Sequence, residues 1–162
     1  MVRKYKDDPV PEKLVQKLLF NARQAPSAGF MQPAEWVVVK DQSKKNSLAE
    51  AALNQVFIAE APVVIVSVSN TSRPEVRYGK RGVEVYSLID AAFGVENLLL
   101  TARSEGLGVA FIGAFHDDEV SKILNLPDYV RPIGIIPVGW PDEPPTKLER
   151  MPLEAIVHKE KW

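Results

Sequence analysis

The sequence contains no cysteine. Disulfides, iron–sulfur clusters, thiolate zinc sites and cysteine nucleophiles are therefore all excluded. Histidine is scarce as well: His116 and His158 stand far apart, so no histidine metal centre is expected. An excess of one charge is also missing. Lys and Arg number 20 against 21 for Asp and Glu, leaving a formal net charge of −1. A nucleic-acid binder would show a basic excess or stripe, so no nucleic-acid partner is expected. Long hydrophobic runs are absent too. Stretches such as Ala61 to Val68 fall well short of the roughly 20 apolar residues that a membrane helix needs. Residues 1–8 lack the apolar segment of a signal peptide. A cytoplasmic protein with no membrane partner is expected. There is no GxxxxGK[ST] phosphate loop and no GxSxG nucleophile elbow. Any enzymatic chemistry must come from carboxylates, hydroxyls or a bound organic cofactor.

The 162 residues suit one compact domain, and a chain of this size can bury about 70% of its unfolded surface. Leu14, Val15, Leu18 and Leu19 recur at helical spacing and predict a first helix from Pro11 to about Gln24. Pro26 ends it, because the residue before a proline is pushed out of the helical region. Pro26 to Pro33 is a loop, and Glu35 to Lys40 a strand. Asp41 or Ser43 caps a second helix reaching about Gln55. Pro62 to Val68 is a β-branched strand buried on both faces. The polar segment Ser69 to Gly82 reads as a long loop. A long helix from about Val83 to Glu105 is apolar over more than one stripe, which places it in the core or at a subunit interface. Val109 to Ile112 and Arg131 to Val138 read as strands, with a short helix capped by Asp117 between them. The tail from Gly139 to Trp162, rich in proline at first, is largely extended. Taken alone, this alternation of helix and strand suggests a parallel α/β sheet.

Several motifs have a plain explanation. Gly106-Leu107-Gly108 follows a helix and precedes a strand, the reverse of a dinucleotide-binding loop, and fits a helix C-cap. His116 reads as a loop residue. Lys44 and Lys45 read as a solvated helix face. Asp90 and Glu96, in apolar surroundings, read as a polar stripe of the long helix, with interface pairing or cofactor tuning as alternatives.

Four separated segments carry a more specific signal. They are Arg3-Lys4-Tyr5 with Asp8-Pro9-Val10-Pro11; Ala25-Pro26-Ser27-Ala28-Gly29-Phe30-Met31-Gln32-Pro33; Glu105-Gly106-Leu107-Gly108 through Phe111-Ile112-Gly113-Ala114-Phe115; and Val138-Gly139-Trp140-Pro141 with Lys147, Arg150, Pro152-Leu153-Glu154 and His158. In this order they resemble the nitroreductase family. They are similar to its Arg-Arg-Ser-x-Arg-x-Tyr/Phe start, its Ala-Pro-Ser-x-x-Asn-x-Gln-Pro-Trp loop, its Gly-Leu-Gly…Trp-Ile-Gly-Gly-Phe segment and its Lys-x-Arg-x-Pro-Leu-Glu-Glu tail. Phe30 stands at the family's Asn and Ala34 at its Trp, while Lys147 lies one position before the usual lysine.

The resemblance spans nearly the whole chain, residues 1–162. It implies an α+β fold: three α/β/α layers around a mixed, mainly antiparallel sheet, with an extended C-terminal tail exchanged in a homodimer. It implies FMN at the subunit interface and NAD(P)H as co-substrate. The activity implied is electron transfer to a small acceptor such as a nitroaromatic, a quinone or a flavin. A flavoenzyme with a dedicated substrate, such as an enone or halophenol, and a flavin-binding dimer without turnover are the alternatives.

The implied cofactor contacts are Arg3, Pro26, Ser27, Ala28, Gln32, Asn54, Ile112, Gly113, Lys147 and Arg150. Arg3, Lys147 and Arg150 could hold the phosphate by charge-assisted bonds, or could be ordinary surface charges. Ser27 offers a hydroxyl to the ribityl chain, or makes a turn. Asn54 matches a ring contact, or ends a helix. Gly113 matches a backbone N–H beside flavin N5, or turns a strand end. No side chain is assigned a catalytic role, because FMN carries the chemistry.

Overall fold

The computed structural model describes residues 1–145 and 147–162. Helix α1 spans Glu12–Ala22. The Pro11 carbonyl accepts from the Leu14 and Val15 N–H groups, so proline sits where its missing donor costs nothing. Strand β1 is Ala34–Val39. Helix α2, Gln42–Ala51, is capped by Asp41, whose side chain accepts from the Lys44 N–H. A short helix α3, Phe57–Glu60, leads into strand β2, Val63–Asn70.

The expected loop over Ser69 to Gly82 is instead largely helical: α4 spans Ser72–Arg81, kinked at Gly79, whose φ of 52° and ψ of −141° are not helical. Its polar sequence had suggested a loop, but the composition reflects a surface helix. Pro74 lies in the first turn, where it breaks no hydrogen bond. A π-helical turn at Gly82–Tyr86 joins α4 to α5, Ser87–Ser104. Glycine is needed at this junction, since a Cβ on Gly82 would lie 2.4 Å from the Pro74 carbonyl oxygen. Strand β3 is only Gly108–Val109. The rest of its expected length is reduced to a single bridge between Ile112 and Ile135. Helix α6 is Asp117–Leu124, with His116 rather than Asp117 at its N-cap. Strand β4 is Val130–Gly139.

The sheet order is β1-β2-β4-β3, and each neighbouring pair is antiparallel. The parallel arrangement suggested by alternation alone is thus overturned, while the mainly antiparallel expectation holds. Strand β2 lies at the centre and its side chains alternate between two cores. Val64, Val66 and Val68 pack with Leu48 and Ile58 of α2 and α3 and Val120 of α6. Val63 and Ile65 pack with Leu18 of α1 and Val95 and Leu98 of α5. Helices on both faces of one sheet give the three expected layers. Full burial of a side chain such as Leu98 contributes roughly 1.5–3 kcal/mol.

The helical run Ser72–Ser104 is long and apolar enough, by length and composition, to cross a membrane. In the fold, Ala91, Val95, Leu98 and Ala102 of this run are buried, and the helix packs on α1 and the sheet. It is the core helix that its apolar pattern predicts.

Candidate functional site

The loop between α1 and β1 is anchored by hydrogen bonds along its length. Gly29, Phe30 and Gln32 all take positive φ, which is unusual for the two non-glycine residues. The Ser27 hydroxyl accepts the Gln32 N–H at 3.0 Å. The Ala28 N–H donates to both carboxylate oxygens of Asp90, at 3.2 and 3.1 Å. Arg73 of α4 donates to the Gln32 carbonyl and pairs with Glu35. Pro26, Ser27 and Gln32 line a cavity of about 90 Å³ together with Trp36, Arg73 and Asp90.

Asp90 is 4% exposed, so it is not part of a solvated stripe, whereas Glu96 is exposed. Burial pushes the Asp90 carboxyl above the usual carboxylate range, and the Ala28 N–H partly offsets this.

A second patch forms where α2 ends. Leu53 and Asn54 are both left-handed. Backbone strain of this kind concentrates at functional sites. The Gln55 side-chain amide donates to the Ala52 and Ala114 carbonyls, at 2.8 and 3.4 Å. The His116 N–H donates to the Ala51 carbonyl at 2.9 Å. These bonds stitch Asn54 beside the segment carrying Ile112 and Gly113. Ile112 is buried, and Gly113 is exposed. A Cβ on Gly113 would meet nothing closer than a Phe111 ring carbon at 3.5 Å, so the space over its backbone is open. Nearby, the Arg3 guanidinium lies 5.7 Å from the centroid of the Phe57 ring, three residues beyond Asn54.

Lys147 and Arg150 lie on the exposed tail. Among the described residues Arg150 donates only to the neighbouring Leu148 and Glu149 carbonyls. The candidate residues therefore fall into three groups: the 26–33 loop, the Arg3–Asn54–Gly113 patch, and the tail. Among the described residues no hydrogen bond or ion pair joins the 26–33 loop to either of the other groups, whereas the start of the tail is tied to the second group by the Arg3 N–H, which donates to Glu143 Oε1 at 2.6 Å. A larger groove of about 730 Å³ runs along α2 past Gln42, Asn46 and Glu50. It reaches Asn54 but none of the other candidates, so its size does not make it the site.

Two buried groups escaped the sequence pattern. Lys45 is 5% exposed, not solvated, and its ammonium donates to the Ala61 carbonyl at 2.7 Å. Burial lowers its pKa. Its neighbour Lys44 is exposed, and nothing in the sequence distinguishes the two. Tyr5 is buried with its hydroxyl donating to the Val2 carbonyl at 2.7 Å, and burial raises its pKa. Asp90 did have a signal, as a carboxylate within an apolar helix.

The sequence profile of the Nitroreductase family matches residues 1–60 and 51–140. The chain is 32% identical to a "NADH dehydrogenase" of Thermus thermophilus, over 96% of this chain and 89% of that one. It is 31% identical to an "NADPH-dependent oxidoreductase" of Staphylococcus aureus, over 99% and 70%. The solved structure of an NADPH:FMN oxidoreductase from Vibrio harveyi, complexed with NAD+, superposes with a TM-score of 0.91 at 26% identity, over 99% of this chain and 73% of that one.

Proposed function

Because this chain belongs to the nitroreductase family, a family of oxidoreductases, we propose that it carries electrons from NAD(P)H through FMN to a small acceptor, as a homodimer. The acceptor class is a nitroaromatic, a quinone or a free flavin. The observation that carries this reading is that the 26–33 loop and the Arg3–Asn54–Gly113 patch are each well built yet share no hydrogen bond or ion pair among the described residues. A ligand touched by both copies of a dimer would need such half-sites. Each subunit then contributes its Arg3–Asn54–Gly113 patch to one flavin and its 26–33 loop to the other.

The surface supports this assembly. Ile89, Phe93 and Leu100 of α5 are exposed on one face of the helix, with the exposed Glu96 on the same face. Leu148, Met151, Leu153, Ile156 and Val157 of the tail are exposed as well. An apolar helix face and an apolar extended tail on one chain suit wrapping of a second copy.

The donor set fits FMN. Lys147 and Arg150, exposed and without carboxylate partners among the described residues, suit a phosphate, and Arg3 adds a third positive charge. The Asn54 amide can both donate to and accept from the edge of a flavin ring. The bare backbone at Gly113 lets its N–H come close to the ring plane. Ser27, Ala28 and Gln32 of a second copy close the other side and exclude water. Bound FMN supplies the two-electron chemistry that no side chain of this chain offers.

Steady-state consumption of NADH and of NADPH, with added FMN and a quinone or nitro acceptor, tests this reading. FMN-dependent oxidation that needs the acceptor is expected. Purified dimer without such turnover would contradict it.

A further inference from the structure

Helix α4 and the π-helical turn after it carry a compact group of cations and aromatic rings against the 26–33 loop. The Tyr78 and Tyr86 rings meet edge-on with centroids 5.0 Å apart. The Arg77 guanidinium lies 5.4 Å from the Tyr78 centroid, and that of Arg81 lies 5.3 Å from the Tyr86 centroid. Arg81 Nε also donates to the Tyr86 hydroxyl at 3.0 Å. The group is seated on the loop: a Cβ on Gly29 would lie 2.4 Å from the Tyr78 hydroxyl and 2.8 Å from Arg77 Nη1. Beside it Phe30 is 79% exposed and is fixed with positive φ.

Arg77 and Arg81 form no ion pair among the described residues, unlike Arg73, which is occupied by Glu35 and the Gln32 carbonyl. Their charges lie against the tyrosine rings, Arg77 Nη1 donates to the Gly29 carbonyl at 3.5 Å and Arg81 to the Tyr86 hydroxyl, yet no carboxylate pairs with either among the described residues. A guanidinium stacked on a ring keeps its N–H edge free for a carboxylate or phosphate. The exposed Phe30 ring offers a flat apolar face for a planar ligand. The junction behind the group is a π-helical turn, Gly82–Tyr86, a feature that recurs at functional sites.

We infer that Arg77 and Arg81, with Phe30 and Tyr78, form a recognition surface for the anionic group of a planar aromatic ligand entering beside the 26–33 loop. This deepens the proposed function and rests on that loop's lining the flavin site. The anionic group has two possible sources: an acceptor bearing a carboxylate or phosphate, or the additional phosphate that distinguishes NADPH from NADH.

The test compares the parent protein with Arg77→Gln, Arg81→Gln and the double variant. One arm measures kcat/KM for para-nitrobenzoate against the neutral para-nitrobenzamide. The other measures kcat/KM for NADPH against NADH. Calorimetric binding of para-nitrobenzoate and para-nitrobenzamide is measured alongside, because it does not depend on turnover. In one arm the preference for the charged member is expected to fall about fivefold in the double variant, the effect of losing partly exposed charge pairs. The arm that changes identifies the source. The preference of the parent protein is also expected to weaken with added salt.

If both members of each pair change equally, or no ratio changes, the inference is overturned. If the parent enzyme turns over no acceptor but binds the two nitro compounds with charge selectivity that the variants lose, the oxidoreductase reading fails and the recognition surface stands.

Discussion

The Ala28 N–H donates to both carboxylate oxygens of Asp90, at 3.2 and 3.1 Å, across 62 positions of sequence. This contact fixes the loop before β1 to the first turn of α5. Its energetics have a defined pH signature. Burial raises the Asp90 pKa, so the folded protein binds more protons than the unfolded chain between the ordinary carboxylate value and the raised one. Stability therefore declines as pH rises through that window. Asp90→Asn keeps an oxygen for the Ala28 N–H and removes the charge, and is expected to flatten this decline. Asp90→Ala leaves the amide without its acceptor and is expected to cost about 1–3 kcal/mol. Urea unfolding on both sides of the window checks both outcomes. An Asp90→Asn protein with the parent's pH slope would contradict them.

Gly113 and Gly134 differ in the room around their backbones. A Cβ on Gly113 has room within the chain, whereas one on Gly134 would lie 2.1 Å from the Phe111 ring. Gly113→Val is expected to change the stability of flavin-free protein by no more than about 0.5 kcal/mol while weakening FMN binding. Gly134→Ala is expected to destabilise by roughly 1–3 kcal/mol through overpacking. Thermal unfolding and flavin titration of both variants distinguish the two effects.

Lys147 and Arg150 are assigned to the FMN phosphate. Both are exposed, so alanine at either position should leave unfolding of the flavin-free protein unchanged. A charge-assisted bond to phosphate is worth about 1.5–3 kcal/mol, so FMN affinity should fall about tenfold or more for Arg150→Ala. Riboflavin lacks the phosphate and should bind the variant and the parent alike. Equal losses for the two flavins would contradict the assignment.

The face of α5 that carries Ile89, Phe93 and Leu100 is the predicted dimer contact. Phe93→Glu or Leu100→Glu puts a carboxylate in that contact, where burying it unpaired is costly. Sedimentation velocity should show monomer, and the monomer should bind FMN weakly. A variant that remains dimeric would place the interface elsewhere.

Much of the fold was legible because period and punctuation agreed. The β-branched run of β2 fixed its burial on both faces, and Asp41 marked the start of α2. Helix α4 was missed because a polar helix on a surface has the composition of a loop, and its Pro74 looks like a breaker unless its place in the first turn is known. Strand direction could not be read from alternation, because pairing is decided by long-range packing. Within the site, Asn54 and Gln32 were identifiable only through the family resemblance. Their positive φ depends on how α2 and the 26–33 loop are anchored. Lys45 was missed for a similar reason: its acceptor, the Ala61 carbonyl, is brought to it only by the turn into β2.

The central claim is a flavin shared between two copies of this chain. Its most direct test is the visible absorbance spectrum of the purified protein after gel filtration with added FMN, recorded across the dimer and monomer fractions. Flavin bands that travel with the dimer and are absent from monomer are predicted. Dimer that remains colourless after incubation with FMN, or flavin held equally well by monomer, would contradict the composite site.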